Sequence, residues 1–218
     1  MSTQREFHRE MRTKFKWWAL VYDYVVAILN FFARGKLSEM VIDEIENGRI
    51  LDVCTGTGRI AILLAEKFEK SKVYGLDISE DMLRRAMSKS KYLENMRFFK
   101  GDAREMPFKD KYFDFVTISF GLHEMREDMR EEILEEITRV LKDGGKLIIQ
   151  DYDKPKSFMR KVFYYPILKF VEPSHIFDFL EENLENTLKD FGILKLRKKS
   201  YFGTIRLITG LKAPHPNL

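Results

Sequence analysis

One short stretch constrains this chain more than any other: Ile50-Leu51-Asp52-Val53-Cys54-Thr55-Gly56-Thr57-Gly58. An apolar run passes into small residues and glycines, after which Ile60, Leu64 and Phe68 recur at a spacing of four. That order reads as a buried strand, a tight turn and an amphipathic helix. Glycines let the backbone approach a ligand closely, and a helix starting there offers it unpaired N–H groups. Such a unit cannot stand alone, because its strand needs neighbours and its helix needs a sheet to cover.

The neighbours follow in the chain. Val73–Leu76, Arg97–Phe99, Phe113–Ser119 and Lys146–Gln150 read as further strands, and helical patterns alternate with them. In the fourth helix Met129, Ile133, Ile137, Val140 and Leu141 share one side. Alternation of this kind implies right-handed crossovers and a mostly parallel sheet. Gly144-Gly145 is expected to close the fourth helix as a left-handed cap. After Asp151 come an aromatic segment containing proline (154–173) and a helix near Asp178–Asp190. Two strands follow, about Ile193–Lys199 and Phe202–Leu211, close enough that they must pair as a hairpin.

The expected fold class is therefore α/β: a Rossmann-like, doubly wound, seven-stranded sheet, mostly parallel, with an antiparallel C-terminal edge hairpin and additional N-terminal helices. The chain of 218 residues suits one full-sized core. Within that single domain, residues 1–47 are expected to form a helical lid, 48–152 the cofactor-binding core, and 153–218 a substrate-side insertion with the terminal hairpin.

Composition removes whole classes. With Gly 12, Pro 6 and 44% hydrophobic residues, collagenous and disordered chains are excluded. The single cysteine, Cys54, excludes a disulfide framework and a multi-cysteine metal site, and no metal is expected. Met1 to Lys16 lacks the apolar segment of a secretory leader, so a cytoplasmic protein is expected. Lys and Glu far outnumber Asn and Gln, which points to a heat-adapted source. The charge of +4 is too small and too evenly mixed to argue for nucleic acid. Trp17 to Ala33 has roughly the length of a membrane span, yet Asp23 and Asn30 interrupt it. Helices packed on the core, or closing over an apolar substrate, fit better. The basic residues before them leave peripheral contact with the inner membrane surface open. Oligomeric state is not legible.

Gly56, Gly58 and Ala61 fit the dinucleotide-loop pattern, and Asp77 ends the second strand where a carboxylate accepts both hydroxyls of a ribose. The nucleoside itself stays open. Asp52 lies inside the first strand, where a dinucleotide fold normally has an apolar residue, and suits a ligand carrying an ammonium group. Asp102, after the third strand, is placed to contact a base edge. A terminal hairpin does not belong to the nicotinamide type.

These blocks resemble the class I S-adenosylmethionine-dependent methyltransferases. Asp52-x-Cys54-x-Gly56-x-Gly58 is similar to their first motif. The remaining blocks match in order: Gly75 to Ser79, Gly101 to Phe108, Phe113 to Val116, and Arg139 to Gly145. Tyr22-Asp23, Ser119 to His123 and Gly203 to Leu207 most resemble the ubiquinone/menaquinone-biosynthesis C-methyltransferases. Two departures stand out, Cys54 in place of the first glycine and His123-Glu124 where that family has Arg-Asn. The resemblance implies S-adenosyl-L-methionine as cofactor. It sets Asp52 near the methionine ammonium, with Gly56, Thr57 and Gly58 along its backbone. It gives the ribose to Asp77 and the adenine to Ile78 and Met82, with Asp102 and Ala103 at the polar edge and Ser119 beneath the sulfonium. It also puts Tyr22 over the methyl donor.

For the acceptor, absences narrow the choice. There is no Asn-Pro-Pro-Tyr/Phe after the fourth strand, no cysteine placed for base C5-methylation, and one thiol where arsenic chemistry needs several. A small acceptor remains, apolar or quinol-like and open to being lipidic; DNA is excluded and RNA disfavoured. A polar metabolite or RNA as acceptor, and a non-catalytic module that merely binds the cofactor, are the alternatives. A phenol-like acceptor with a pKa near 10 is ionised about once in a thousand molecules at pH 7, costing about 4 kcal/mol. His123, with an ordinary pKa near 6.5, is the candidate general base.

Overall fold

The computed structural model describes residues 48–157, 162, 165, 168, 169, 172, 175–201 and 203–214. The expectations for the N-terminal helices, Tyr22 among them, and for most of the segment 158–174 lie outside these residues.

The chain runs β1 (Arg49–Val53), α1 (Arg59–Lys67), β2 (Lys72–Asp77), α2 (Glu80–Lys89), β3 (Met96–Lys100) and β4 (Phe113–Ser119). A single 3-10 turn at Leu122–Glu124 precedes α3 (Glu127–Val140) and β5 (Leu141–Tyr152). Then come α4 (Ile176–Glu181), α5 (Leu184–Asp190), β6 (Ile193–Tyr201) and β7 (Ile205–Lys212). The seven strands form one sheet in the order β3-β2-β1-β4-β5-β7-β6. The first five strands pair in parallel, and β7 runs antiparallel to both its neighbours. The strand order reverses between β1 and β4, and in open sheets of this kind the crevice above the carboxyl ends at such a reversal takes the ligand.

Burial explains the layering. Leu51, Val53, Leu76, Val116, Ile118, Leu147 and Ile149 are all nearly inaccessible, as is the face of α3 carrying Ile133, Leu134, Ile137 and Val140. Each such side chain contributes about 1.5–3 kcal/mol relative to exposure. From Ile205 to Gly210, β7 is buried throughout because it lies inside the sheet. Edge strand β6 is mostly exposed and reads Ile-Leu-Lys-Leu-Arg-Lys-Lys, charges that discourage pairing with another chain.

Two boundaries differ from expectation. Helix α3 stops at Val140, and β5 begins at Leu141 instead of Lys146. The N–H of Tyr112 donates to the Val140 carbonyl at 2.8 Å, drawing the helix end directly into the sheet. Gly144 is left-handed (φ 73), but it makes the irregular start of β5, where pairing jumps from Phe113↔Leu141 to Phe115↔Lys146. The single helix expected near 178–190 is two. Asn183 caps the second one, its side chain accepting from the Asn186 N–H at 3.2 Å.

Candidate active site

The turn after β1 uses the left-handed region three times, at Cys54 (φ 54), Gly56 (φ 55) and Gly58 (φ 76). Glycine costs little there, whereas Cys54 adopts a conformation that L side chains resist. A Cβ at Gly58 would stand 2.8 Å from the Ala86 Cβ and 2.9 Å from the Phe98 ring, so this glycine serves packing. A Cβ at Gly56 would meet nothing within 4 Å. That side of the turn is open. Gly58 is also the N-cap of α1 and supplies no side-chain bond of its own.

Beneath the turn, Asp52 is 1% exposed. It accepts hydrogen bonds from Thr55 Oγ1 at 2.6 Å and Thr117 Oγ1 at 2.7 Å, and from the Ala61 N–H. Burial pushes its carboxyl up to about 6 in spite of these three donors, and the charge of Asp77 adds to the rise. Asp52 thus knits strand, turn and helix together. Thr55 follows three residues on in the same turn, and Thr117 stands opposite Asp52 in the β1–β4 register, so both partners follow from the strand–turn pattern once β1 and β4 are neighbours.

Asp77 ends β2 with its two oxygens divided: one accepts the Gly56 N–H at 2.7 Å, the other the Ser79 N–H at 2.8 Å. Burial raises its pKa. Ser79 caps α2 by accepting from the Met82 N–H at 3.4 Å, which sets Met82 in the first turn beside Ile78. Ile78 is 66% exposed, an apolar side chain left uncovered at the rim of the site. Asp102 is engaged by Arg104, whose Nε lies 3.1 Å and Nη2 2.7 Å from its two oxygens. That guanidinium holds the Asp102 carboxyl below its usual range. Ala103 packs against the core.

The tip of β4 completes the crevice. Ser119 donates to the Gln150 side chain at 2.8 Å, and Phe120 is left-handed (φ 51). Gly121 abuts the turn after β1, since a Cβ on it would lie 3.0 Å from that of Cys54. Desolvation, then the neighbouring carboxylates Asp77 and Asp52, push the Cys54 thiol far above its ordinary range, so it is no nucleophile.

His123 comes next and is 2% exposed. Its Nδ1 lies 2.7 Å from Asp151, while Nε2 lies 3.6 Å from Glu124 and 3.4 Å from Glu172. Burial alone would lower its pKa, but Asp151, Glu124 and Glu172 outweigh that and raise it well above the ordinary value. With Asp151 at Nδ1 and Glu124 and Glu172 facing Nε2, the surroundings favour the protonated ring. That acidic surround argues against a general-base role for His123. Neither Asp151 nor Glu172 carries a local signal: one is the last residue but one of β5 and belongs to no motif, and the other is brought in only by the tertiary fold.

Residues 50–145 match the family described as "Methyltransferase domain". A demethylmenaquinone methyltransferase of Geobacillus kaustophilus is 37% identical over 158 residues, which span 70% of this chain and 67% of that one. One from Staphylococcus aureus is 30% identical over 206 residues, covering 84% and 85%. This chain belongs to the S-adenosylmethionine-dependent methyltransferases, among the relatives of the quinone-biosynthesis enzymes. A solved S-adenosylmethionine-dependent methyltransferase from Aquifex aeolicus superposes with a TM-score of 0.63 at 27% identity, over 79% of this chain and 88% of that one.

The residues fit the methyltransferase cofactor, S-adenosyl-L-methionine. The uncovered face at Gly56, the half-buried Asp77 carboxylate and the bare Ile78 side chain line one edge of the crevice. They offer, in turn, room for close approach, acceptors for hydroxyls and an apolar surface for a base.

Proposed function

We propose that this methyltransferase acts on a quinol-like, apolar small molecule. Bound S-adenosyl-L-methionine supplies an electrophilic methyl group whose sulfur loses its positive charge on transfer. The chain's own contribution is alignment and exclusion of water, and holding the reactants in line is worth about 7–11 kcal/mol. Under this reading Gly56, Thr57 and Gly58 run along the cofactor's amino-acid part, and Asp77 takes the ribose. Ile78 and Met82 flank the adenine, and the Asp102-Ala103 turn meets its edge. Asp52 acts on the ammonium through the turn that it braces. Ser119 marks the floor between donor and acceptor. Tyr22 retains its proposed place over the methyl donor.

One observation carries the acceptor class. Directly beyond the tip of β4, Phe120, Tyr152 and His123 pack edge to face, with centroids 5.4 Å (Phe120–Tyr152) and 4.7 Å (His123–Tyr152) apart, and Phe179 tilts against His123 at 6.4 Å. Of these rings Phe120 and Tyr152 are partly exposed, while His123 and Phe179 are buried behind them, and the exposed pair supports an acceptor that carries an aromatic ring. The names of the relatives from Geobacillus and Staphylococcus point the same way. Among the described residues no helix is long and apolar enough to cross a membrane.

The deciding experiment incubates full-length protein with methyl-labelled S-adenosyl-L-methionine and a panel of acceptors: demethylated naphthoquinols and benzoquinols, transfer RNA, and phosphoethanolamine. Label should enter the quinol fraction. Donor binding without transfer to any quinol, or transfer to RNA alone, refutes the proposal.

A further inference from the structure

We infer that His123, Glu124 and Glu172 form a binding site for a first-row divalent cation, with His123 Nε2 and one oxygen of each glutamate as ligands. These three atoms lie within 4.8 Å of one another. Nε2 stands 3.6 Å from the Glu124 oxygen and 3.4 Å from that of Glu172. Ligands held about 2.1 Å from a tetrahedral zinc are themselves separated by about 3.4 Å. The two distances from Nε2 therefore already match that spacing, and the two glutamate oxygens lie within 4.8 Å of each other.

The surroundings are organised as a metal site requires. A ligating imidazole normally has its other nitrogen tied to a carboxylate, which fixes tautomer and ring orientation. Here Asp151 performs that task at 2.7 Å from Nδ1 and is itself held by the N–H groups of Leu122, His123 and Tyr152. The next residue orients a second ligand: the Tyr152 hydroxyl donates to the remaining oxygen of Glu172 at 2.8 Å. Two consecutive residues at the end of β5 thus aim two of the three ligands.

Charge argues the same way. His123 and Glu172 have side chains 2% and 6% exposed, and Asp151 is fully buried. Two buried carboxylates, with the partly exposed Glu124 beside them, call for positive compensation. Arg206 stands opposite Asp151 in the β5–β7 register and supplies one charge. A divalent cation beside a neutral imidazole supplies the other two. The Glu124 side chain, 34% exposed, gives the cluster its opening.

One nitrogen and two carboxylate oxygens favour zinc, manganese or ferrous iron over calcium. Three protein ligands leave a position for water or for an oxygen of the acceptor. Only that last point, the acceptor oxygen, rests on the quinol proposal.

The test uses full-length protein stripped with a chelator and contains no acceptor. Zn2+ and Mn2+ are titrated by calorimetry, and the His123 ring is followed by nitrogen-detected NMR. One Zn2+ per chain at micromolar affinity or tighter is expected, with Nε2 of His123 shifting on binding and Ca2+ at least about tenfold weaker. Glu124→Gln and Glu172→Gln should each weaken Zn2+ at least about tenfold, and Tyr152→Phe by about tenfold or more through the orienting shell. Donor affinity serves as the folding control and should stay within twofold in Glu124→Gln. No stoichiometric uptake, or equal Zn2+ affinity in wild type and both glutamate variants, overturns the site and leaves His123 a salt-bridged imidazolium. Because no acceptor enters this measurement, its failure and that of the quinol assay are separate results.

Discussion

Gly56 and Gly58 stand two residues apart in the same turn, both left-handed, yet their surroundings separate cofactor binding from folding. A methyl group at Gly58 would collide with the Ala86 Cβ at 2.8 Å and the Phe98 ring at 2.9 Å. Gly58→Ala therefore carries a left-handed penalty of about 1–2 kcal/mol plus an overpacking cost of about 1–3 kcal/mol. The sum, about 2–5 kcal/mol, is a large share of the stability of an ordinary domain. At Gly56 the backbone penalty alone applies, because a Cβ there meets nothing within 4 Å. At about 2–4 °C per kcal/mol for a chain of this size, Gly56→Ala should lower Tm by about 2–8 °C and Gly58→Ala by about 4–20 °C. Calorimetric titration with S-adenosylhomocysteine should then show Gly56→Ala, though folded, binding at least about tenfold more weakly, a loss of about 1.4 kcal/mol. A folded Gly56→Ala variant with wild-type affinity would refute the assignment of this open face to the cofactor.

The remaining expectations concern the same crevice. Burial pushes the Asp52 carboxyl from 3.8 up to about 6, so the folded state holds its proton more tightly. Stability should fall as pH rises from about 4 to 7, by up to about 3 kcal/mol relative to Asp52→Asn, and urea unfolding across that range reads the difference. Thr117→Val strips a buried carboxylate of one donor and should cost about 1–3 kcal/mol while moving the Asp52 titration above 6 in carboxyl NMR. Cys54→Gly relieves a left-handed non-glycine residue, and net of the added chain entropy it should be neutral to about 1 kcal/mol stabilising. The wild-type thiol should resist iodoacetamide at pH 8 for as long as the chain is folded, and rapid alkylation would contradict its raised pKa.

How far the sequence speaks depends on whether the signal is local. Strand alternation, the turn after β1 and the terminal hairpin are written in neighbouring residues, and the sheet follows them down to its one antiparallel strand. The start of β5 was misread because Gly144-Gly145 looks like a helix cap. Only the bond from Tyr112 to Val140 shows that the helix has already ended. Asp52 was assigned a ligand because an acid in a buried strand is anomalous. The fold adds a partner that its own segment does not show, Thr117, remote in sequence but opposite in register. His123 was assessed with an ordinary pKa because Asp151 and Glu172 are invisible from its own segment.

The long-range pairs that escaped the sequence share a location. Thr117 reaches Asp52, Ser119 reaches Gln150, and His123 reaches Asp151 and Glu172, so five of these side chains lie on or just past β4 and at the end of β5. Strand β4 borders the reversal of strand order, where a crevice must open whatever the side chains are. A loop crossing that crevice has no ladder partners of its own, and its backbone groups must find side chains instead. Asp151 answers that need for Leu122 and His123 at once. The carboxylate that holds the loop also orients the imidazole, so a substitution made to probe chemistry here will disturb the loop unless the new side chain still accepts both N–H groups. Asp151→Asn keeps one oxygen for that purpose and Asp151→Ala keeps none. The pair should therefore separate loop order, read from amide exchange at Leu122 and His123, from orientation of the ring.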